Sequence, residues 1–266
     1  MQRCGQFAAS LALLAACVSI GPGQAKGLDS SPGIIGKDDR EIVDSWDHPW
    51  AAVGQVNVSG YRMVSLCTGT LIAPNVVLTA SHCLVDPWKH APYPMHSVHF
   101  IAGVRRDKSL GHSTAKCIRF PNDYRFVGSE KDQPDARFQK LPIERFEKDI
   151  AIIVLSDNIP VRPVPLAKGG EFEDGLALTY AGYPADRRFL LSADRGCHLI
   201  SRFEGIWATS CDSHPGSSGG PVFLEQEGEM RIGAVMVGAM ERLLTLAVPV
   251  TELGDLSLDQ PCSDVE

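Results

Sequence analysis

Short apolar runs separated by turn residues recur along most of the chain. Residues 50–58 and 63–72 are rich in β-branched and apolar types. Ser59-Gly60 divides them, so they read as a hairpin. Residues 75–79, 98–104 and 115–120 continue the strand-and-turn rhythm. A charged stretch, 121–148, has no hydrophobic period and reads as a long surface loop leading into an apolar strand at 150–155. Residues 158–170 contain three prolines and read as a connector between two halves. The second half repeats the pattern at 176–182, 197–203, 205–210, 222–225, 230–238 and 243–250, with Gly228 marking a tight turn. Residues 253–258 suggest a short terminal helix. No internal repeat is visible residue by residue. Many short strands and no long amphipathic helix predict an all-β fold of antiparallel barrels or sandwiches.

Chemistry enters at Gly216-Ser217-Ser218-Gly219-Gly220-Pro221. Attack on a carbonyl needs an exposed hydroxyl and backbone N–H groups aimed at the oxyanion that forms. Glycine at 216 lets the backbone turn so that its own N–H and that of Ser218 face one spot. Alone, such a cluster is usually a plain turn. Two other stretches answer it. One runs from Cys67 through Thr-Ala-Ser to His82-Cys83, and the other is Lys148-Asp149 before an apolar strand. A serine hydroxyl needs a base, and His82 can take and return its proton. Asp149, at the mouth of an apolar strand, needs a partner and can hold the other ring nitrogen of that histidine.

His82, Asp149 and Ser218, in that chain order, resemble the chymotrypsin-fold (trypsin-like) serine endopeptidases, over roughly residues 34–250. Cys67-Thr-Gly-Thr-Leu-Ile-Ala-Pro-Asn75 and Ala181-Gly-Tyr-Pro184 look most like bacterial secreted proteases of the glutamyl-endopeptidase kind. The resemblance implies two antiparallel Greek-key β-barrels with the active site between them, 34–157 carrying His82 and Asp149 and 158–266 carrying Ser218. It implies protein or peptide substrates, a monomer, no cofactor and no metal. An α/β-hydrolase places its acid and histidine after the serine. Here the last histidine, His214, precedes Ser218. A subtilisin order is open to Asp39, Asp44 or Asp47, but no Gly-rich helix start follows His82 or Ser218. The interval from His82 to Asp149 is longer than in the animal enzymes, and that from Asp149 to Ser218 is shorter. A catalytically inactive relative that binds a partner through the same surface is the alternative reading.

The same resemblance assigns a specificity pocket to Asp212, Ser213, Val235 and Gly238. Val235 stands where glutamyl endopeptidases place a histidine, so acidic residues are expected to be poor at the cleavage position. Asp212 stands where trypsin-like enzymes keep the acid that pairs with Lys or Arg, which tilts the expectation toward basic residues. His214 replaces a bracing cysteine. Ile34-Ile35-Gly36 resembles a mature protease start, but Ser217 replaces the aspartate that would pair with a freed amine. An oxyanion hole built on that ion pair is therefore not expected.

The N-terminus reads as an export signal. Arg3 precedes an apolar run at 7–20, too short to span a membrane, and Gly21-Pro22-Gly23-Gln24-Ala25 offers a break and a cleavage site. Residues 1–25 are thus a signal peptide and 26–33 a linker or short pro-segment. Leu14-Ala15-Ala16-Cys17 also resembles a lipoprotein box, which would lipidate Cys17; the break and Ala25 favour simple cleavage. No second apolar run of spanning length follows. Eight cysteines suit an exported protein. A net charge of −7 argues against nucleic acid or an anionic membrane as partner. Either cleavage leaves six cysteines. Cys67 with Cys83 would fasten the His82 loop, Cys197 with Cys211 brackets a hairpin, and Cys117 with Cys262 remain by elimination. No two cysteines have zinc-ligand spacing. His90, His96, His99 and His112 cluster loosely, without a ligand pattern. Lys37-Asp38-Asp39-Arg40 reads as a solvated charge run.

Overall fold

A computed structural model describes residues 33–59, 65–122, 124, 146–169, 172–203, 205–240, 242–254, 256 and 262. The expected signal peptide, Cys17, most of the 26–33 segment and most of the 121–148 loop lie outside the described residues. The strands, in chain order, are β1 Glu41–Ile42, β2 Val53–Val58, β3 Ser65–Ala73, β4 Val76–Thr79, β5 Val85–Asp86 and β6 Ala91–Pro92. They continue as β7 Val98–Ala102, β8 Gly111–Arg119, β9 Ala151–Leu155, β10 Ala177–Gly182 and β11 Ser192–Phe203. The last four are β12 Ile206–Thr209, β13 Pro221–Gln226, β14 Glu229–Met240 and β15 Leu244–Pro249.

Two closed antiparallel barrels result. The first runs β2-β3-β4-β9-β8-β7 and closes through β7 on β2. The second runs β11-β10-β13-β14-β15-β12 and closes where Leu199 through Phe203 of β11 pair with Ile206 through Thr209 of β12. Numbering each barrel's strands one to six in chain order, both rings run one-two-three-six-five-four. The repeat that residue comparison misses is therefore a repeat of topology. Closure depends on alternating inward positions, which many side chains can fill. Strand β7 shows the alternation plainly, with Val98, Phe100 and Ala102 buried and the residues between them partly exposed.

Several elements differ from their sequence reading. Residues Trp50–Ala52 form a helical turn in place of a strand start, entered from Pro49. Strand β8 begins at Gly111, and β11 at Ser192, well before Cys197. Polar residues hid these extensions: Arg195 of β11 lies over the Trp50 ring at 4.5 Å. The terminal helix reduces, among the described residues, to a turn at Val250–Leu253. Disulfides join Cys67 to Cys83, Cys197 to Cys211 and Cys117 to Cys262.

The barrels meet through large buried side chains. Trp50 packs edge-on against Phe223 at 5.9 Å between centroids. Tyr183, from the second half, donates through Oη to the Val53 and Val104 carbonyls at 3.2 and 3.1 Å. Burying a side chain of this size contributes roughly 1.5–3 kcal/mol. The hydroxyl is buried together with its acceptors, so the apolar gain carries little desolvation penalty.

Candidate active site

Strand β4 ends at Thr79 and delivers a helical turn, Ser81–Leu84, that carries His82. Ser81, fully buried, donates its hydroxyl to the Ile150 carbonyl at 2.8 Å. That bond pins the turn to the chain on the far side of Asp149. Cys67–Cys83 ties the other side of the turn to β3. The barrel pairing of β4 with β9 then sets Asp149, just ahead of β9, beside His82.

Asp149 is 4% exposed and spends both oxygens on one residue. Its Oδ1 accepts the His82 main-chain N–H at 2.8 Å, and its Oδ2 lies 2.6 Å from His82 Nδ1. The ring is thereby fixed with Nδ1 as donor and Nε2 free to accept. Packing around His82 opposes the charged imidazolium, but the Asp149 charge and hydrogen bond outweigh it, so its pKa lies above the usual 6.5.

Ser218 sits in the loop between β12 and β13. Thr68 connects this loop to the first barrel. Its N–H donates to the Ser218 carbonyl at 2.8 Å and its Oγ1 to the Gly216 carbonyl at 3.3 Å. The same Oγ1 accepts the Tyr183 N–H at 2.9 Å, and the Thr68 carbonyl accepts Thr79 Oγ1 at 2.7 Å. Thr68 follows Cys67, whose disulfide partner Cys83 follows His82. Serine and histidine are thus held by one short covalent and hydrogen-bonded circuit. Thr68 belongs to no catalytic motif of its own in the sequence. Its signal was its place beside a cysteine, in a strand that also carries the disulfide. Among the described residues no hydrogen bond joins Ser218 Oγ to His82; such bonds commonly tighten only with substrate in place.

Gly216 has φ +96°, a conformation that side-chain-bearing residues rarely adopt. A Cβ there would also lie 3.0 Å from the Tyr183 carbonyl oxygen and 3.0 Å from the Ala185 nitrogen. Ala185 N–H donates to the Pro215 carbonyl at 2.7 Å. Among the described residues the N–H groups of Gly216 and Ser218 meet no protein acceptor. Two such donors flanking one residue form a site able to take an anionic oxygen.

The pocket residues are placed differently from expectation. Asp212 is 2% exposed, and its carboxylate accepts the main-chain N–H groups of Ile35 at 2.7 Å and Asp39 at 2.8 Å. It is not a free carboxylate on a pocket floor, because the segment before β1 folds back over it. Ser213 donates its N–H to the Gly33 carbonyl at 2.8 Å. Val235 is fully buried in the core, paired with Pro221 and Val248, and lines no open wall. Gly238 is partly open, with the Phe146 ring 3.4 Å from where its Cβ would be.

Within the histidine cluster, His99 Nδ1 lies 2.9 Å from His112 Nε2, and His99 Nε2 lies 2.6 Å from Ser59 Oγ. Beside His82, Cys67 and Cys83 are bonded to each other, which leaves no thiolate for a metal there. The 37–40 run is only half solvated. Lys37 and Asp39 are open, but the Arg40 side chain is 2% exposed.

A family model described as a trypsin-like peptidase domain matches residues 67–233. The CLIP domain-containing serine protease B15 of Anopheles gambiae is 50% identical over 51 residues, 18% of this chain and 14% of that protein. The matched part is thus about a seventh of that relative's length. A solved structure of a Glu endopeptidase in complex with MPD aligns with a TM-score of 0.65 at 20% identity, over 81% of this chain and 93% of that one. At that identity the likeness is one of fold.

Proposed function

This chain belongs to the trypsin-like peptidase family, and from that premise we propose that it is an exported serine endopeptidase acting through Ser218, His82 and Asp149. Ser218 Oγ attacks the scissile carbonyl carbon while His82 Nε2 takes its proton. The carbonyl oxygen, now anionic, is received by the N–H groups of Gly216 and Ser218. Collapse breaks the C–N bond, and the imidazolium returns its proton to the leaving amine, leaving an acyl-enzyme. Water, deprotonated by the same nitrogen, releases the acid and restores Ser218. Asp149 keeps the imidazole in one tautomer and stabilises its charged form.

The observation that carries this reading is the double contact of Asp149 with the main chain and ring of His82, at 2.8 and 2.6 Å. A binding surface needs no such spending of a buried carboxylate. Proteins or peptides are the substrates. Three disulfides and the apolar leader support export to an oxidising compartment. No helix of the described residues is long and apolar enough to cross a membrane. Where glutamyl endopeptidases place a histidine this chain has the core residue Val235, so no imidazole is available at that position to a substrate carboxylate, and acidic residues are disfavoured at the cleavage position.

The test is covalent labelling of the mature protein with a fluorophosphonate. Attachment at Ser218, abolished in Ser218→Ala and strongly slowed in His82→Ala, supports the peptidase. A folded, processed protein that takes no label is instead a peptidase-like binder.

A further inference from the structure

The buried half of the Lys37-Asp38-Asp39-Arg40 run has no part in the proposed chemistry. Arg40 makes two forks. Its Nε and Nη2 each lie 2.9 Å from an oxygen of Asp38. Its Nη2 and Nη1 reach the two oxygens of Asp186 at 2.9 and 3.4 Å. Arg187 closes the figure, with Nη2 2.7 Å from Asp38 Oδ2 and Nη1 3.1 Å from the Arg40 carbonyl. Two carboxylates and two guanidiniums balance. The Arg40 fork holds the Asp38 carboxyl below the usual carboxylate range, against the opposing pull of burial.

Asp186 and Arg187 belong to the helical turn Ala185–Arg187. That turn is the direct neighbour of Pro215-Gly216, through the 2.7 Å bond from Ala185 N–H to the Pro215 carbonyl. Asp186 Oδ1 also lies 3.6 Å from His214 Nδ1, one residue earlier in the same loop. A peptide unit is planar and trans, so its C=O and N–H point to opposite sides. Fixing the Pro215 carbonyl therefore aims the Gly216 N–H. The residue before Ser218 is Ser217, which has no charge to anchor the loop from within. Ser217 is held instead by neutral bonds, from Tyr180 Oη to its carbonyl at 2.7 Å and from its N–H to the His214 carbonyl at 3.0 Å.

We propose that Arg40 is a positioning residue for the oxyanion site. Its buried network with Asp38, Asp186 and Arg187 presses the Ala185–Arg187 turn against Pro215 and so orients the Gly216 N–H. The inference rests on Gly216 serving as an oxyanion donor. The segment that carries Arg40 is also held, through the main-chain N–H groups of Ile35 and Asp39, to Asp212, six residues before Ser218. Without Arg40, Asp38 and Asp186 face each other across a space with one guanidinium left.

The experiment compares wild type with Asp186→Asn, Arg40→Met and Arg40→Lys in the full chain, all prepared identically. Asp186 is 32% exposed and Asp38 still forks Arg40 in its absence, so this variant removes one fork without leaving the guanidinium partnerless. For Asp186→Asn the expected result is a fall in kcat of about tenfold with KM within about twofold, because the contact acts on the transition state. Affinity for a peptide boronate should fall in parallel, while that for the product peptide stays. Arg40→Met should lose more, and Arg40→Lys should recover part of it, since an ammonium keeps the charge without the forks. A folded Asp186→Asn with unchanged kcat and boronate affinity beside an active wild type overturns the brace alone. A wild type that neither cleaves nor takes label overturns the peptidase reading, and the brace with it.

Discussion

Ile35 donates its main-chain N–H to Asp212 Oδ1 at 2.7 Å, and Asp39 takes the other oxygen at 2.8 Å. A carboxylate so engaged is not available to fork a substrate guanidinium. Burial raises the Asp212 pKa, opposed by those two amides and reinforced by Asp194 and Asp38. The basic preference suggested by position alone therefore loses its support. In a peptide library varied at the cleavage residue, apolar side chains should lead, and Glu should be poor. Asp212→Asn should change the Arg-to-Leu rate ratio by less than about threefold, roughly 0.7 kcal/mol. A collapse of Arg cleavage in that variant would restore Asp212 as a pocket acid.

The His82–Asp149 pair sets a pH profile. In the proposed mechanism only neutral His82 accepts the Ser218 proton, and its pKa is raised because the Asp149 interaction exceeds the cost of burial. The acid limb of kcat/KM should therefore have its midpoint above 6.5. Asp149→Asn should move that midpoint down and lower kcat by about 10⁴-fold, since the ring can then take the wrong tautomer. Stability follows the same linkage. A raised folded pKa contributes stability that is complete below the unfolded value and is lost as pH rises through the folded one. The stability difference between wild type and Asp149→Asn should accordingly shrink as pH rises from about 6.5 through the raised folded pKa. Urea melts across that range test it, and a difference that widens toward alkaline pH contradicts the pairing.

The parts of this molecule legible in sequence are those carried by local pattern. Strand β9 and the chemistry at Asp149 share one short stretch. His82 lies beside a cysteine, and Ser218 lies among glycines. Thr68, Arg40 and the first residues of β11 were not legible, for one physical reason. Each is defined by a partner far along the chain: Thr68 by Ser218 and Tyr183, Arg40 by Asp186, and Ser192 of β11 by Gly182. Arg40 in particular lies in a charge run whose composition implies solvent. Asp38 supplies one opposite charge from within the run, but the second, on Asp186, comes only with the fold.

The Cys67–Cys83 bridge spans 16 residues and encloses β4 and the approach to His82. Closing a loop of this size stabilises by about 3 kcal/mol through the unfolded chain. Replacing both cysteines by alanine should lower the melting temperature and also lower kcat/KM of the remaining folded protein. The second effect follows because the Thr68 contact with Ser218 loses its tether to the His82 turn. Replacing Cys197 and Cys211 should cost similar stability with a smaller loss of rate, because that bridge lies outside the circuit. Non-reduced peptide mapping identifies the bridges, and equal rate losses in the two double variants would count against the circuit.

Gly219 offers the sharpest test of how the two barrels meet. Its φ is +83°, and an added Cβ would lie 2.2 Å from the Thr68 carbonyl oxygen and 2.2 Å from Thr79 Oγ1. Both belong to the strands that deliver His82, so neither can yield without moving the turn. Gly219 N–H also donates to the Met236 carbonyl at 2.7 Å, which fixes the loop from the other side. Gly219→Ala therefore forces the serine loop away from β3 and breaks the Thr68–Ser218 bond. Gly228 supplies the control, with φ +75° and nothing within 4 Å of its Cβ position. Gly228→Ala incurs only the left-handed backbone cost, roughly 1–2 kcal/mol. The expected result is loss of fluorophosphonate labelling in Gly219→Ala and near-normal labelling in Gly228→Ala, with both compared by circular dichroism. If Gly219→Ala is labelled at the wild-type rate, the approach of the serine loop to Thr68 and Thr79 is not what positions Ser218.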